Sequence, residues 1–148
     1  TTWRSIPSCS AQAEAALRFW YQEKKTHGVS CDPRFESWVK LSLKNIKAHA
    51  SIYDIAISRL ELLNGWYQLM SGHPKKAARH WHKGLKFAAK LNMKFDLLAL
   101  NLAAAELDSK LTENLKLISS EQLTELANGL NVTDPEWFAD WRLIAAAQ

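Results

Sequence analysis

The run Gly65-Trp66-Tyr67-Gln68-Leu69-Met70-Ser71-Gly72-His73-Pro74-Lys75-Lys76-Ala77-Ala78-Arg79-His80-Trp81-His82-Lys83-Gly84-Leu85 constrains this chain more than any other part of it. Gly72 ends one helix, and Pro74 fits the first turn of the next. Gly65 and Gly84 stand where two tightly packed helices need small residues. Such a run folds as a helix hairpin. It points to a scaffold rather than to a reaction centre.

The rest of the chain follows the same rhythm. A first helix is expected over about 10–25, with Ala13, Ala16, Leu17 and Trp20 on one face and a stop at Gly28. Asp32-Pro33 predicts an N-cap and first helical residue, followed by the stripe Phe35, Val39, Leu43 and Ile46. A third helix is expected over 51–71. Ile52, Ala56, Leu60, Leu63, Tyr67 and Met70 share one side, and Ile55, Leu62, Trp66 and Leu69 a second. A helix apolar on two sides is sandwiched between neighbours. The fourth, over 74–92, buries Ala77, Trp81, Leu85 and Ala88, with Gly84 giving close approach beside Trp81. A fifth is expected over 95–109. Ser119 and Gln122 form a capping box for a helix ending near Gly129. Thr133-Asp134-Pro135 opens a last one carrying Trp137, Trp141 and Ile144. The 110–118 stretch either extends a helix or bridges two. No strand alternation competes, so the class is all-α, and short connections make consecutive helices antiparallel neighbours.

Composition agrees. With 47% hydrophobic and 23% charged residues the chain is globular rather than disordered. At 148 residues it suits a single helical-repeat domain over 1–148. Its first residue is Thr, so it is expected to be a piece of a larger protein. No apolar run reaches the roughly 18 residues of a membrane span, and no signal segment opens the chain, which predicts a cytoplasmic location. Two cysteines, Cys9 and Cys31, are expected as reduced thiols, a disulfide being the lesser alternative.

From Gly65 the spacings to Gly72, Ala77, Trp81, Gly84 and Leu85 resemble a tetratricopeptide (TPR) repeat. Glu61 and Asn64 depart from it, standing where that family prefers an aromatic and Leu, and the second helix runs about a turn past the usual Pro. The longer pattern through Ala88-Ala89-Lys90-Leu91-Asn92-Met93 and on to Leu107 is similar to helical-repeat regions of large signalling ATPases and soluble class III adenylyl cyclases. The resemblance covers about 60–107. It implies antiparallel hairpins stacked as a short TPR-like solenoid, and a non-catalytic protein–protein interaction scaffold in a signalling or assembly protein. One alternative is a regulatory region of such a cyclase or ATPase, and a second is a basic nucleic-acid-binding helical domain.

Charge is the best clue to a partner. Residues 1–96 hold 16 Lys/Arg against 7 Asp/Glu, whereas 97–148 hold 3 against 8. Lys75, Arg79, Lys83, Lys86, Lys90 and Lys94 recur at helical spacing, with no acid between Lys75 and Lys94. A solvated outer face is the plainer reading of this stripe. The functional reading is that Lys75, Arg79, Lys83, Lys86 and Lys90 steer an acidic protein partner, or the acidic half of a neighbouring copy by self-association. Tyr67, Met70, Trp137 and Trp141 are candidate apolar anchors wherever they are exposed. Trp81 points away from the stripe, which disfavours nucleic acid, since stacking platforms need exposed aromatics beside the charges.

Enzymatic constellations are weak. His80 and His82 diverge on a helix rather than converging on a metal, and they read as ordinary surface histidines. Cys31 precedes a helix N-terminus, which would lower its pKa, but no oxyanion-hole pattern accompanies it. Glu121 and Glu125, a turn apart, read as exposed carboxylates. No glycine-rich phosphate loop occurs. No catalytic residue, metal or cofactor is expected in this segment.

Overall fold

The computed structural model describes residues 5–107, 109–112, 115 and 117–132. Among these the fold is entirely helical: α1 (Ile6–His27), α2 (Pro33–Ala50), α3 (Ile55–Met70), α4 (Pro74–Lys90), α5 (Lys94–Ala104), α6 (Ser109–Thr112) and α7 (Ser120–Gly129), with a 3-10 turn at Gly28–Ser30. The helix expected after Thr133, with Trp137 and Trp141, lies outside the described residues.

The helix boundaries have local causes. Pro7 sits in the first turn of α1 and starts it at Ile6, ahead of the expected Ser10. The Asp32 carboxylate accepts from the Arg34 amide and caps α2 as anticipated. The third helix begins later than expected because carbonyls ending α2 take the next amides: Ser51 N–H bonds Lys47 O, and the N–H groups of Ile52 and Tyr53 both bond His49 O. Ile52 therefore lies in a turn, 61% exposed, instead of on the buried face of α3. Ile55, the first residue of α3, is 43% exposed for the same reason of position.

Three helices end in the same way. Beyond α3, Gly72 takes a φ of 78°, its N–H bonds Leu69 O, and the His73 N–H bonds Gln68 O. Beyond α4, Asn92 (φ 51°) bonds Ala89 O, and Met93 bonds Ala88 O. Beyond α7, Asn131 (φ 52°) bonds Asn128 O, and Val132 bonds Ala127 O. Each is a Schellman motif, in which one left-handed residue lets two amides satisfy carbonyls that the helix end leaves open. The connections at 71–73 and 91–93 are consequently of equal length, and each reverses the chain.

Packing follows chain order. The most extensive contact joins α3 to α4, then α1 to α2, and α3 also meets α1, α2 and α5. The core is one cluster running from Ala13, Leu17 and Trp20 through Leu63, Trp66 and Trp81 to Leu100 and Ala104. Its densest point is the α3–α4 seam. A Cβ on Gly65 would lie 2.0 Å from Trp81 Nε1, so only glycine admits the indole there. Trp81, with no solvent exposure, donates its Nε1–H to Leu62 O at 3.0 Å and meets the Trp66 ring edge-on at 5.1 Å. Gly84 does a related job against a different neighbour. A Cβ there would stand 2.8 Å from a Leu100 methyl of α5 and 3.2 Å from Glu61 Cβ of α3. The close approach at Gly84 is thus to α5 and Glu61, and the residue that makes room for Trp81 is Gly65.

Beyond α5 the chain is tied down by a buried side chain. Asn101 donates to Leu97 O within its helix and accepts from the Ile118 N–H at 3.0 Å. Ile118 leads directly into the capping box of α7. There Ser119 Oγ accepts from the Gln122 amide, and the Gln122 side chain accepts from the Ser119 N–H.

Candidate functional site

The outer face of α4 carries the sequence-derived basic stripe. Lys75, Arg79, Lys83, Lys86 and Lys90 are all exposed, but they do not form one uniform set. Lys83 turns toward α3, where its Nζ lies 2.7 Å from Glu61 Oε1. Lys75, Arg79, Lys86 and Lys90 have no carboxylate partner among the described residues. Lys90 Nζ stands 6.0 Å from the Phe87 ring centroid. Ion pairs occupy other cations of the molecule: Arg18 with Glu14, Arg34 with Asp32, Lys40 with Glu36, and Arg59 with Asp96.

Glu61 is the residue whose role sequence reasoning missed. It lies within the apolar run of α3, and it is 4% exposed. His80 Nδ1 donates to its Oε2 at 2.6 Å while Lys83 holds the other oxygen. Burial pushes this carboxyl up, yet the hydrogen bonds from His80 and Lys83 outweigh burial and leave it below the usual glutamate value. His80, expected as a plain surface histidine, is half-buried and is part of the α3–α4 joint. A second buried acid bridges α3 and α5. Asp96, 2% exposed, accepts from the Ser58 hydroxyl and pairs with Arg59 at 2.6 Å, and Arg59 in turn lies over the Phe95 ring.

The apolar anchor candidates divide. Met70 is 5% exposed and belongs to the core, and its carbonyl accepts from Lys24 Nζ at 2.6 Å. It offers nothing to a partner. Tyr67 is half-buried with its ring stacked on Trp20 at 5.4 Å, and it donates its hydroxyl to Glu36 at 2.9 Å. Burial, then the neighbouring Glu36 carboxylate, raises the pKa of this phenol. Tyr67 therefore joins α1, α2 and α3 to one another. Trp137 and Trp141 lie outside the described residues. An exposed aromatic pair among the described residues was not foreseen: Phe19 of α1, 56% exposed, stacks on Trp38 of α2, 41% exposed, at 5.9 Å. Antiparallel pairing of α1 and α2 was the signal that places these two side by side.

Cys9 and Cys31 are both free thiols. Burial pushes the Cys31 thiol up and Glu23 adds to the rise, against the lowering expected of a helix N-terminus. Among the described residues no group of three or more His, Cys, Asp or Glu side chains is placed to hold a metal ion. No helix among them is long and apolar enough to cross a membrane.

No family model matches the chain, and no curated protein or solved structure matches it significantly.

Proposed function

We propose that this chain is a TPR-like helical-repeat segment that serves as a non-catalytic protein–protein interaction scaffold within a cytosolic signalling or assembly protein. The observation that carries this reading is the order of packing. Helix α2 packs on α1 and α3, α4 packs on α3 and α5, and α3 also contacts both α1 and α5. That order supports hairpins stacked as a solenoid, whose binding surfaces would be helix faces held in fixed geometry. The two glycine approaches and the buried acids Glu61 and Asp96 support such a fixed geometry. The face offered to partners is then the outer side of α4, with Lys75, Arg79, Lys86 and Lys90 steering acidic groups while Lys83 serves the hairpin.

A regulatory region of a cyclase-type or ATPase enzyme uses the same surfaces and differs in acting on its own parent. The nucleic-acid reading has one observation in its favour, the exposed Phe19–Trp38 stack. That stack sits on the α1–α2 hairpin rather than on α4. Affinity capture with the chain, beside a Lys86→Glu/Lys90→Glu copy, separates these readings. The scaffold reading expects proteins retained by the first and lost from the second at moderate salt. Retention of nucleic acid alone, vanishing steeply as salt rises, overturns it.

A further inference from the structure

We infer that the basic face of α4 docks the acidic face of α7 from a second copy of this chain, head to tail. The two helices are opposite in sign throughout. Between Pro74 and Lys90 there are cations and no Asp or Glu. Between Ser120 and Gly129 there are Glu121 and Glu125 and no Lys or Arg. Both glutamates are exposed and, like Lys75, Arg79, Lys86 and Lys90, have no ion-pair partner among the described residues. The spacing matches as well. Glu121 and Glu125 are one helical turn apart, as are Lys75 and Arg79 and also Lys86 and Lys90, so the acidic pair rises about 6 Å along its helix, the same as either basic pair.

The contact is made between copies. Within one chain α7 packs on α5 and α6 on α4, and Lys75, Arg79, Lys86, Lys90, Glu121 and Glu125 remain exposed. Because the two faces differ, the contact is heterologous, and association continues copy by copy instead of stopping at a two-fold dimer. Exposed pairs contribute little individually, so association is weak and salt-sensitive. This inference rests on the scaffold reading of the α4 face.

Sedimentation equilibrium of the full chain tests it, in about 20 mM salt, where the screening length is roughly 20 Å, and in about 0.5 M salt, where it is roughly 4 Å. The expected result is a weight-average mass that rises with concentration in low salt and returns to the monomer in high salt. Lys86→Glu/Lys90→Glu alone and Glu121→Lys/Glu125→Lys alone should each stay monomeric, and mixing the two should restore association. The first variant also separates a specific face from bulk charge. It lowers the net charge from +4 to zero, which weakens repulsion between copies and by itself favours association. All four positions are exposed, and circular dichroism checks each fold, with Lys75→Glu/Arg79→Glu as the second variant on α4. A wild-type chain that stays monomeric in low salt overturns the inference, as does self-association of the neutralised variant at wild-type strength. Binding of a poly-glutamate peptide to that monomeric chain would leave the scaffold reading standing while the inference falls. Absence of both would remove the two together.

Discussion

The α1–α2 and α3–α4 hairpins are built from similar material and are locked differently. Each has an aromatic pair at its seam. In the first, Phe19 and Trp38 stack on the outside, because Ala13, Ala16, Leu17, Val39 and Ile46 already fill the interior. In the second, Gly65 opens a space that a whole indole enters, so Trp81 and Trp66 meet inside. The polar links differ in the same sense. The α1–α2 hairpin is joined at its open end by the Ser5 hydroxyl and His49 Nε2, 2.8 Å apart. The α3–α4 hairpin encloses Glu61 between His80 and Lys83. At these two seams the difference is the glycine: Gly65 admits Trp81 to the interior.

The strongest way to break this contrast is Trp81→Ala. Loss of a fully buried indole and its hydrogen bond is expected to cost about 3–5 kcal/mol, lowering the melting temperature by roughly 10 °C or more. Scanning calorimetry reads it directly, and a shift under a few degrees would deny Trp81 its role. Gly65→Ala comes next, at about 2–3 kcal/mol, because the new Cβ must displace the indole. Gly84→Ala should cost less, since the Leu100 methyl that it meets is the mobile end of a side chain. Equal losses at the two glycines, measured by urea titration, would show that the seam has no single tight point. Gly84→Leu, by contrast, should wedge α4 from α5 and lower the melting temperature sharply.

Glu61→Gln is expected to cost about 1–3 kcal/mol at neutral pH, by weakening two charge-assisted hydrogen bonds. Because the folded-state pKa of Glu61 is lowered, its contribution is complete above the ordinary glutamate range. That contribution disappears as pH falls through the lowered value. Wild-type and Glu61→Gln melting temperatures should therefore converge in acid, and a constant gap down to strongly acidic pH would place the effect elsewhere. The smallest effect belongs to the other hairpin. Phe19→Ala should cost under about 1 kcal/mol, as a stack this open gains little beyond its partial burial. A loss as large as that of Trp81→Ala would erase the distinction between the hairpins.

What the sequence revealed and what it hid have a common explanation. Gly72 with Pro74, Asp32 with Pro33, and Ser119 with Gln122 act within one or two turns of chain, and each stands as read. The buried acids act across helices. Glu61 finds its partners at positions 80 and 83, and Asp96 at 58 and 59, separations that no local pattern encodes. An acid inside an apolar stripe reads as a flaw in the pattern until its partners are in view. The same limit explains Lys83, which shares the spacing of the stripe but answers to α3. Met70 carries the complementary lesson: an apolar residue on a two-sided helix gives no sign of whether its side faces a neighbour helix or a partner.

The enclosure of Glu61 also sets an order in which this hairpin is able to change its sequence. The Lys83 side chain is 58% exposed, so if Glu61 mutates first, the lysine simply returns to water. If Lys83 mutates first, a carboxylate with 5% side-chain exposure loses one of its two partners, and an under-compensated buried charge is strongly destabilising. Any route from this hairpin to an apolar residue at position 61 therefore runs through loss of the acid before loss of the lysine. Related chains should contain the lysine without the acid far more often than the acid without the lysine.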